Sequence, residues 1–190
     1  MHVKQFSVAL IMIVGTLLFS PISFAQSKAD SQRADIQTQV NQTLTKLYQQ
    51  QPKSRNVLQK AAGYAVFSQF GMKILVAGGG TGKGYAFNNK SKQKTYMKMA
   101  EVQAGLGFGI KKYALVWVFD NQKAFNNFVN SGWEFGAQTN FTAVKGGEGV
   151  ALEGAISVSP GVWIYQLTED GLSLELTAKG TKYYKDSSLN

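Results

Sequence analysis

Gly82-Lys83, inside the run ILVAGGGTGKGYAF of residues 74–87, and the acid pair Glu148 and Glu153 are the positions whose types and spacing could do chemistry. The first would cradle a nucleotide phosphate, and the second could act as general acid and base. Register decides against the first. A phosphate loop G-x-x-x-x-G-K-[ST] ending on Gly82-Lys83 needs glycine at 77 and a hydroxyl residue at 84, where this chain has Ala77 and Gly84. The missing hydroxyl is the magnesium ligand, and GYAFNNKSK is no amphipathic helix, so the helix dipole that such loops use is missing too. The dinucleotide pattern G-x-G-x-x-G also fails, ending on Lys83 or Tyr85. The acid pair has nothing in the sequence to bring it face to face, and solvated loop carboxylates are the simpler reading.

Absences narrow the chemistry further. The single histidine is His2, and the chain has no cysteine. Once the leader described below is removed, that excludes a Ser-His-Asp triad, a cysteine nucleophile, histidine acid/base work and thiolate or imidazole metal sites. What remains for catalysis is carboxylates, lysine, tyrosine and serine, so a carboxylate hydrolase stays open as a distant third reading; the favoured reading is not an enzyme, and no catalytic residue, metal or cofactor is assigned. No disulfide is available, so the core must hold the fold alone.

The leader is residues 1–25. Lys4 supplies a positive start, Val8 to Phe19 is an apolar core, and Ser23-Phe24-Ala25 is a small-x-small cleavage site before Gln26. The apolar core is too short to span a bilayer and Pro21 interrupts it. Export follows as the expectation, to a periplasm of Gram-negative type or to the outside. The remainder is the size of one domain. Twenty Lys and Arg face 11 Asp and Glu, a formal charge of +9, and only Arg33 and Arg55 are arginine. A surface of lysine point charges suits an anionic film better than base reading, which calls for the bidentate arginine fork, and export removes most nucleic acid from reach. A basic surface can also serve solubility alone.

These residues need elements to carry them. Ile36, Val40, Leu44, Leu47 and Tyr48 share one face of a predicted helix ended by Pro52, within an N-terminal amphipathic region of residues 26–51. The stripe either packs on a sheet or faces a membrane. A short helix from Ser54 carries Val57, Leu58, Ala61 and Ala62 inward, and Gly63 stops it. The period then changes to strands: 64–70, 72–77, 95–99, 102–110 and 113–119, then 133–144, 149–158, 162–167 and 172–178. One helix interrupts them, capped by Asn121, with Ala124, Phe125, Phe128 and Val129 inward and Gly132 closing it. The tail after Tyr184, residues 186–190, is expected to fray. Glycines alternate at 78, 80, 82 and 84 and again at 105, 107 and 109, baring one face of a strand for close packing, a tight bend or a ligand. The fold class is α+β: an antiparallel, glycine-rich, strongly curved sheet or small barrel-like core with an N-terminal amphipathic helix and short packed helices.

The run PKSRNVLQKAAGYAVF from Pro52, the glycine-rich GGGTGKGYAF and the stretch VQAGLGFGIKKYALVWVFDNQKAFNNFVNSGWEFGAQ resemble the SYLF domain family. The resemblance covers residues 52–185; Gln103 ahead of the glycines departs from the family pattern, and 146–161 has no counterpart. It implies a non-enzymatic lipid-binding domain. Eukaryotic relatives bind phosphoinositide membranes, partly through a preceding amphipathic helix, and some bundle actin; bacterial relatives are mostly exported. What transfers is a membrane-facing helix bearing Ile36, Val40, Leu44, Leu47 and Tyr48, and basic contacts at Lys53, Arg55, Lys60, Lys73, Lys83, Lys111 and Lys112. The expected partner is an anionic phospholipid or membrane surface, with no nucleotide and no nucleic acid. The alternative is a secreted structural or interaction protein binding another envelope protein or a glycan through Tyr113, Trp117, Trp133, Trp163 and Tyr165.

Overall fold

The computed structural model describes residues 22–68, 79–102, 113–134, 153–173 and 181–190. Helices α1 (Ile22–Gln50), α2 (Ser54–Lys60) and α3 (Gln122–Ser131) accompany strands β1 (Gly63–Ser68), β2 (Gly79–Asn88), β3 (Lys94–Val102), β4 (Ala114–Phe119), β5 (Trp133–Glu134), β6 (Ile156–Ser159), β7 (Val162–Leu167), β8 (Leu172–Ser173) and β9 (Thr181–Lys185). The strands form one antiparallel sheet in the order β5-β9-β3-β2-β1-β4-β7-β6, with β8 on β7. It curls into a half-barrel, so the α+β class with a strongly curved sheet stands.

Period-two alternation divides each strand between two cores. Ala65 and Phe67, Met97 and Met99, Leu115, Trp117 and Phe119, Ile164 and Tyr183 face the concave side, where α3 adds Phe125, Phe128 and Val129. Val66, Tyr85, Val116, Val118, Tyr165 and Leu167 face the other side, which α1 and α2 cover. Every residue of β4 is consequently buried. α3 begins and ends as its sequence dictates. Asn121 Oδ1 accepts from the Ala124 N–H at 2.9 Å, and Gly132, at φ 76, donates its N–H to the Phe128 carbonyl at 3.0 Å.

The concave side explains the described glycines. A Cβ at Gly82 would lie 2.7 Å from Met99 Cε, and one at Gly84 would overlap the Val66 carbonyl oxygen. Among the bend, the close packing and the ligand that the alternation left open, close packing accounts for these two. The second row, Gly105 to Gly109, lies outside the described residues, as do the strand of residues 72–77 and Glu148. The expected strand from Val102 begins instead as the end of β3, which runs unbroken from Lys94.

Two expectations are corrected. The stripe of α1 is core and not membrane-facing: Ile36, Val40, Leu44 and Leu47 are buried and Tyr48 is partly buried, all against the sheet. Burying each aliphatic side chain contributes about 1.5 to 3 kcal/mol, which an open helix face would forgo. The expected cleavage after Ala25 falls at the start of α1, upstream of this stripe, and leaves it intact. The tail, expected to fray, is folded. Leu189 is buried beside α1, Asp186 is buried, and Asn190 donates to the Tyr96 carbonyl at 2.8 Å while its Oδ1 accepts the Tyr96 N–H at 2.9 Å.

Two stability tests follow. Val40→Asp places an unpaired charge in a site only 1% exposed, and should cost about 3 kcal/mol or more, read as a large fall in the urea midpoint. Gly84→Val should cost about 1 to 3 kcal/mol or more through overpacking. Lys83→Ala on the same strand removes one hydrogen bond to a side-chain amide, worth about 1 kcal/mol.

Candidate functional site

Of the cations that the sequence offers for lipid binding, Lys53, Arg55, Lys60 and Lys83 are described; Lys73, Lys111 and Lys112 lie outside the described residues. The four do not converge on one point. Lys53 pairs with Glu153 Oε2 at 2.9 Å, both side chains exposed, a contact worth little in water. The guanidinium of Arg55 lies 4.3 Å from the Tyr48 ring centroid and pins α2 against α1. Lys60 is exposed at the last turn of α2. Lys83 sits within β2, between β1 and β3, and donates to Gln32 Oε1 of α1 at 3.1 Å. The Gly-Lys segment is thus strand on both sides of the lysine, with no helix N-terminus following it.

Around Lys83 the structure assembles cations that sequence reasoning missed. Lys94 donates to Gln37 Oε1 and lies 5.3 Å from the Tyr85 ring centroid. Arg33 donates to the Leu189 carbonyl at 3.0 Å and pairs with Asp30 at 2.7 Å, while Lys98 meets the buried Asp186 at 2.9 Å. Lys46, nearer the far end of α1, bonds the Thr168 carbonyl. Lys83 and Lys94 therefore each donate to a neutral amide oxygen, which leaves the charge in place. The signal for Lys94 was the spacing K-S-K-Q-K after an Asn-Asn turn; nothing local pointed to the contacts of Arg33 with Leu189 or of Lys98 with Asp186, which lie far along the chain.

Tyrosines line the contact of α1 and α2 with the sheet. Burial raises the phenols of Tyr64, Tyr85 and Tyr165, the last to about 12 with Glu153 adding to the rise. They stay neutral near pH 7 and serve as apolar bodies with a polar tip. Of the aromatics offered for a protein or glycan surface, Tyr113, Trp117 and Tyr165 are buried and belong to the core. Trp133 and Trp163 keep partial exposure. Trp133 borders a cavity of about 250 Å³ with Asn121, Lys123, Asn127, Ser159 and Pro160. Among the described residues no group of three His, Cys, Asp or Glu side chains could hold a metal, and no helix is long and apolar enough to cross a membrane.

Residues 100–190 match the profile of the family Ysc84, described as Las17-binding protein actin regulator. The resemblance to the SYLF family is borne out. Over 161 residues the chain is 34% identical to Beta cell expansion factor A of Aeromonas veronii, a match that takes in 85% of this chain and 60% of that protein. The chain thus spans less than two thirds of that relative's length. The Ysc84 match runs through residues 186–190, in keeping with their place in the fold. SYLF domains are non-enzymatic and are associated with lipid and protein binding.

Asp186 gives the cluster a pH dependence. Burial pushes its carboxyl up, but hydrogen bonds from Lys98 and Ser188 and the Lys98 charge outweigh burial and hold it below the ordinary 3.8. The stabilisation is present above that ordinary value and is lost as pH falls through the lower folded value. Native protein should lose stability in strong acid more steeply than Asp186→Asn, which lacks the titrating group; urea midpoints from pH 7 down to pH 2 provide the check, and parallel curves would remove Asp186 as the cause.

Proposed function

We propose that this chain is an exported, non-catalytic envelope protein that binds anionic phospholipid or membrane surfaces, in the periplasm or outside the cell. The carrying observation is positive charge left standing: a formal +9 for the full sequence, with Lys83 and Lys94 bonded to neutral oxygens. Membership of a family associated with lipid binding supports it, as does the lysine-over-arginine composition. With the α1 stripe in the core, attraction is long-range and electrostatic, about 1 kcal/mol for each lysine near the surface. The actin regulation and Las17 binding in the family's description belong to other members.

A second reading, binding of an envelope glycan or protein, is favoured by the cavity beside Trp133, where an indole meets the amides of Asn121 and Asn127. Flotation separates the two. Vesicles with anionic phospholipid should carry the protein upward and neutral vesicles should not, with capture falling as salt shortens the screening length to about 3 Å at 1 M. Equal capture by neutral vesicles in high salt would sink the preference for anionic lipid, and no capture by either would sink lipid binding itself. Mass spectrometry of lipid extracted from the purified protein would name the ligand.

A further inference from the structure

Antiparallel register gathers charge at one end of the sheet. Gly63 opens β1 opposite Asn88 of β2 and Phe119 of β4, Phe119 faces Val162 of β7, Phe87 faces Lys94 of β3, and Met97 faces Lys185 of β9. The β2–β3 turn, the end of β9 and the start of β7 therefore share that end. Asn89 Nδ2 ties the last turn of α2 to it, donating to the carbonyls of Leu58 at 2.6 Å and Ala61 at 2.8 Å. The first turn of α3 is there as well, because Asn121 follows β4 closely and Phe125 meets Phe119 with ring centroids 5.6 Å apart.

This end carries Lys60, Lys90, Lys92, Lys94, Lys123 and Lys185, all exposed. Of its described carboxylates, Asp186 is buried and paired with Lys98, while the exposed Asp120 accepts from the neutral Trp163 Nε1 at 3.0 Å and keeps its charge, one negative charge against six lysines. Of the α1 acids, Asp30 pairs with Arg33 and Asp35 is exposed. The turn is built to hold its lysines out. Asn88 Oδ1 accepts the N–H groups of Lys90 and Ser91 at 2.9 and 3.0 Å, and Lys92 stands at φ 60, a conformation in which glycine or asparagine would be less strained.

We infer that this end of the half-barrel, bearing Lys60, Lys90, Lys92, Lys94, Lys123 and Lys185, is the face that docks on an anionic phospholipid surface. The inference rests on the lipid reading above and gives it a place and an orientation. The layout selects a plane over a linear polyanion. The lysines run from α2 on one side of the sheet, across β2, β3 and β9, to α3 on the other, spread over two strand spacings of about 4.8 Å each and over the helix layers on both sides, not along one line. Trp163, partly exposed and with its indole N–H held by Asp120, stands at the same end, as aromatic side chains do at membrane interfaces.

The test compares two variants of equal net charge by flotation on vesicles of phosphatidylglycerol and phosphatidylcholine. Lys90→Gln with Lys92→Gln and Lys123→Gln should lower partitioning on the order of 100-fold, given the attraction per lysine near a surface. Lys28→Gln with Lys53→Gln and Lys182→Gln should lower it far less. The chain has no cysteine, so Ser91→Cys and Glu169→Cys can each carry a single environment-sensitive dye. The first should shift to the blue on adding vesicles and the second should not. Equal loss in both triple variants, or no shift at residue 91, overturns the docking face while leaving lipid binding intact. Failure of the native protein to float overturns the lipid reading itself.

Discussion

Trp117 on β4 and Tyr183 on β9 meet with ring centroids 4.9 Å apart, although three strands lie between them in the sheet. In a flat sheet four strand spacings would hold them roughly 19 Å apart. The contact therefore requires the curl, and Phe67 on β1, 4.8 Å from the same tyrosine, requires it again. Much of the fold answers to this constraint. Gly82, Gly84 and Ala86 line the concave side of β2, between β1 and β3, and a side chain at the two glycines would run into Met99, the β1 backbone and the edge of the Phe67 ring. Phe128 of α3 closes the concavity at 4.8 Å from Trp117, and Trp133 of β5 closes it at 5.5 Å. The chain has no cysteine, so no disulfide closes the fold and this aromatic cluster does so instead.

The convex side faces a different problem, since a curled sheet buried on one face still needs cover on the other. α1 provides it with two chemically different halves. From Val40 onward it lays aliphatics on Val66, Val116 and Leu167. Before that it crosses lysine-bearing strands and meets them with glutamine and arginine. The folded tail closes this weaker half: Arg33 reaches the Leu189 carbonyl, Asn190 bonds Tyr96, and Asp186 neutralises Lys98. A buried carboxylate is tolerable there because Oδ1 takes the Lys98 pair and two hydrogen bonds from Ser188, which offset desolvation although the buried Oδ2 accepts none.

Local periodicity made a large part of this legible. Asn121 and Gly132 bound α3 as read, and β7 occupies residues 162–167 as read, because caps, turns and alternation act within a few residues. Partners across the chain were not legible. An apolar stripe at helical spacing looks the same whether it meets a sheet or a membrane, so Ile36 and Val40 could not declare themselves core. KDSSLN reads as a polar tail until Lys98, 88 positions before Asp186, is placed beside it. The lysine-bearing end was invisible for the same reason: Lys60, Lys123 and Lys185 become neighbours of the β2–β3 turn only through strand register.

The two kinds of cation divide the work. Both arginines lie over tyrosine rings, Arg33 at 6.0 Å from Tyr96 and Arg55 at 4.3 Å from Tyr48, and both hold helices to the body of the protein. Guanidinium is suited to this because it stacks and is less strongly hydrated than ammonium. The exposed end is left to lysine alone, a mobile point charge without a planar fork to match one headgroup geometry. On the lipid reading proposed above, a surface so composed would answer to the density of negative charge and to ionic strength more than to headgroup identity. On that reading the rigid aromatic core would serve recognition indirectly, by holding six lysines over one face.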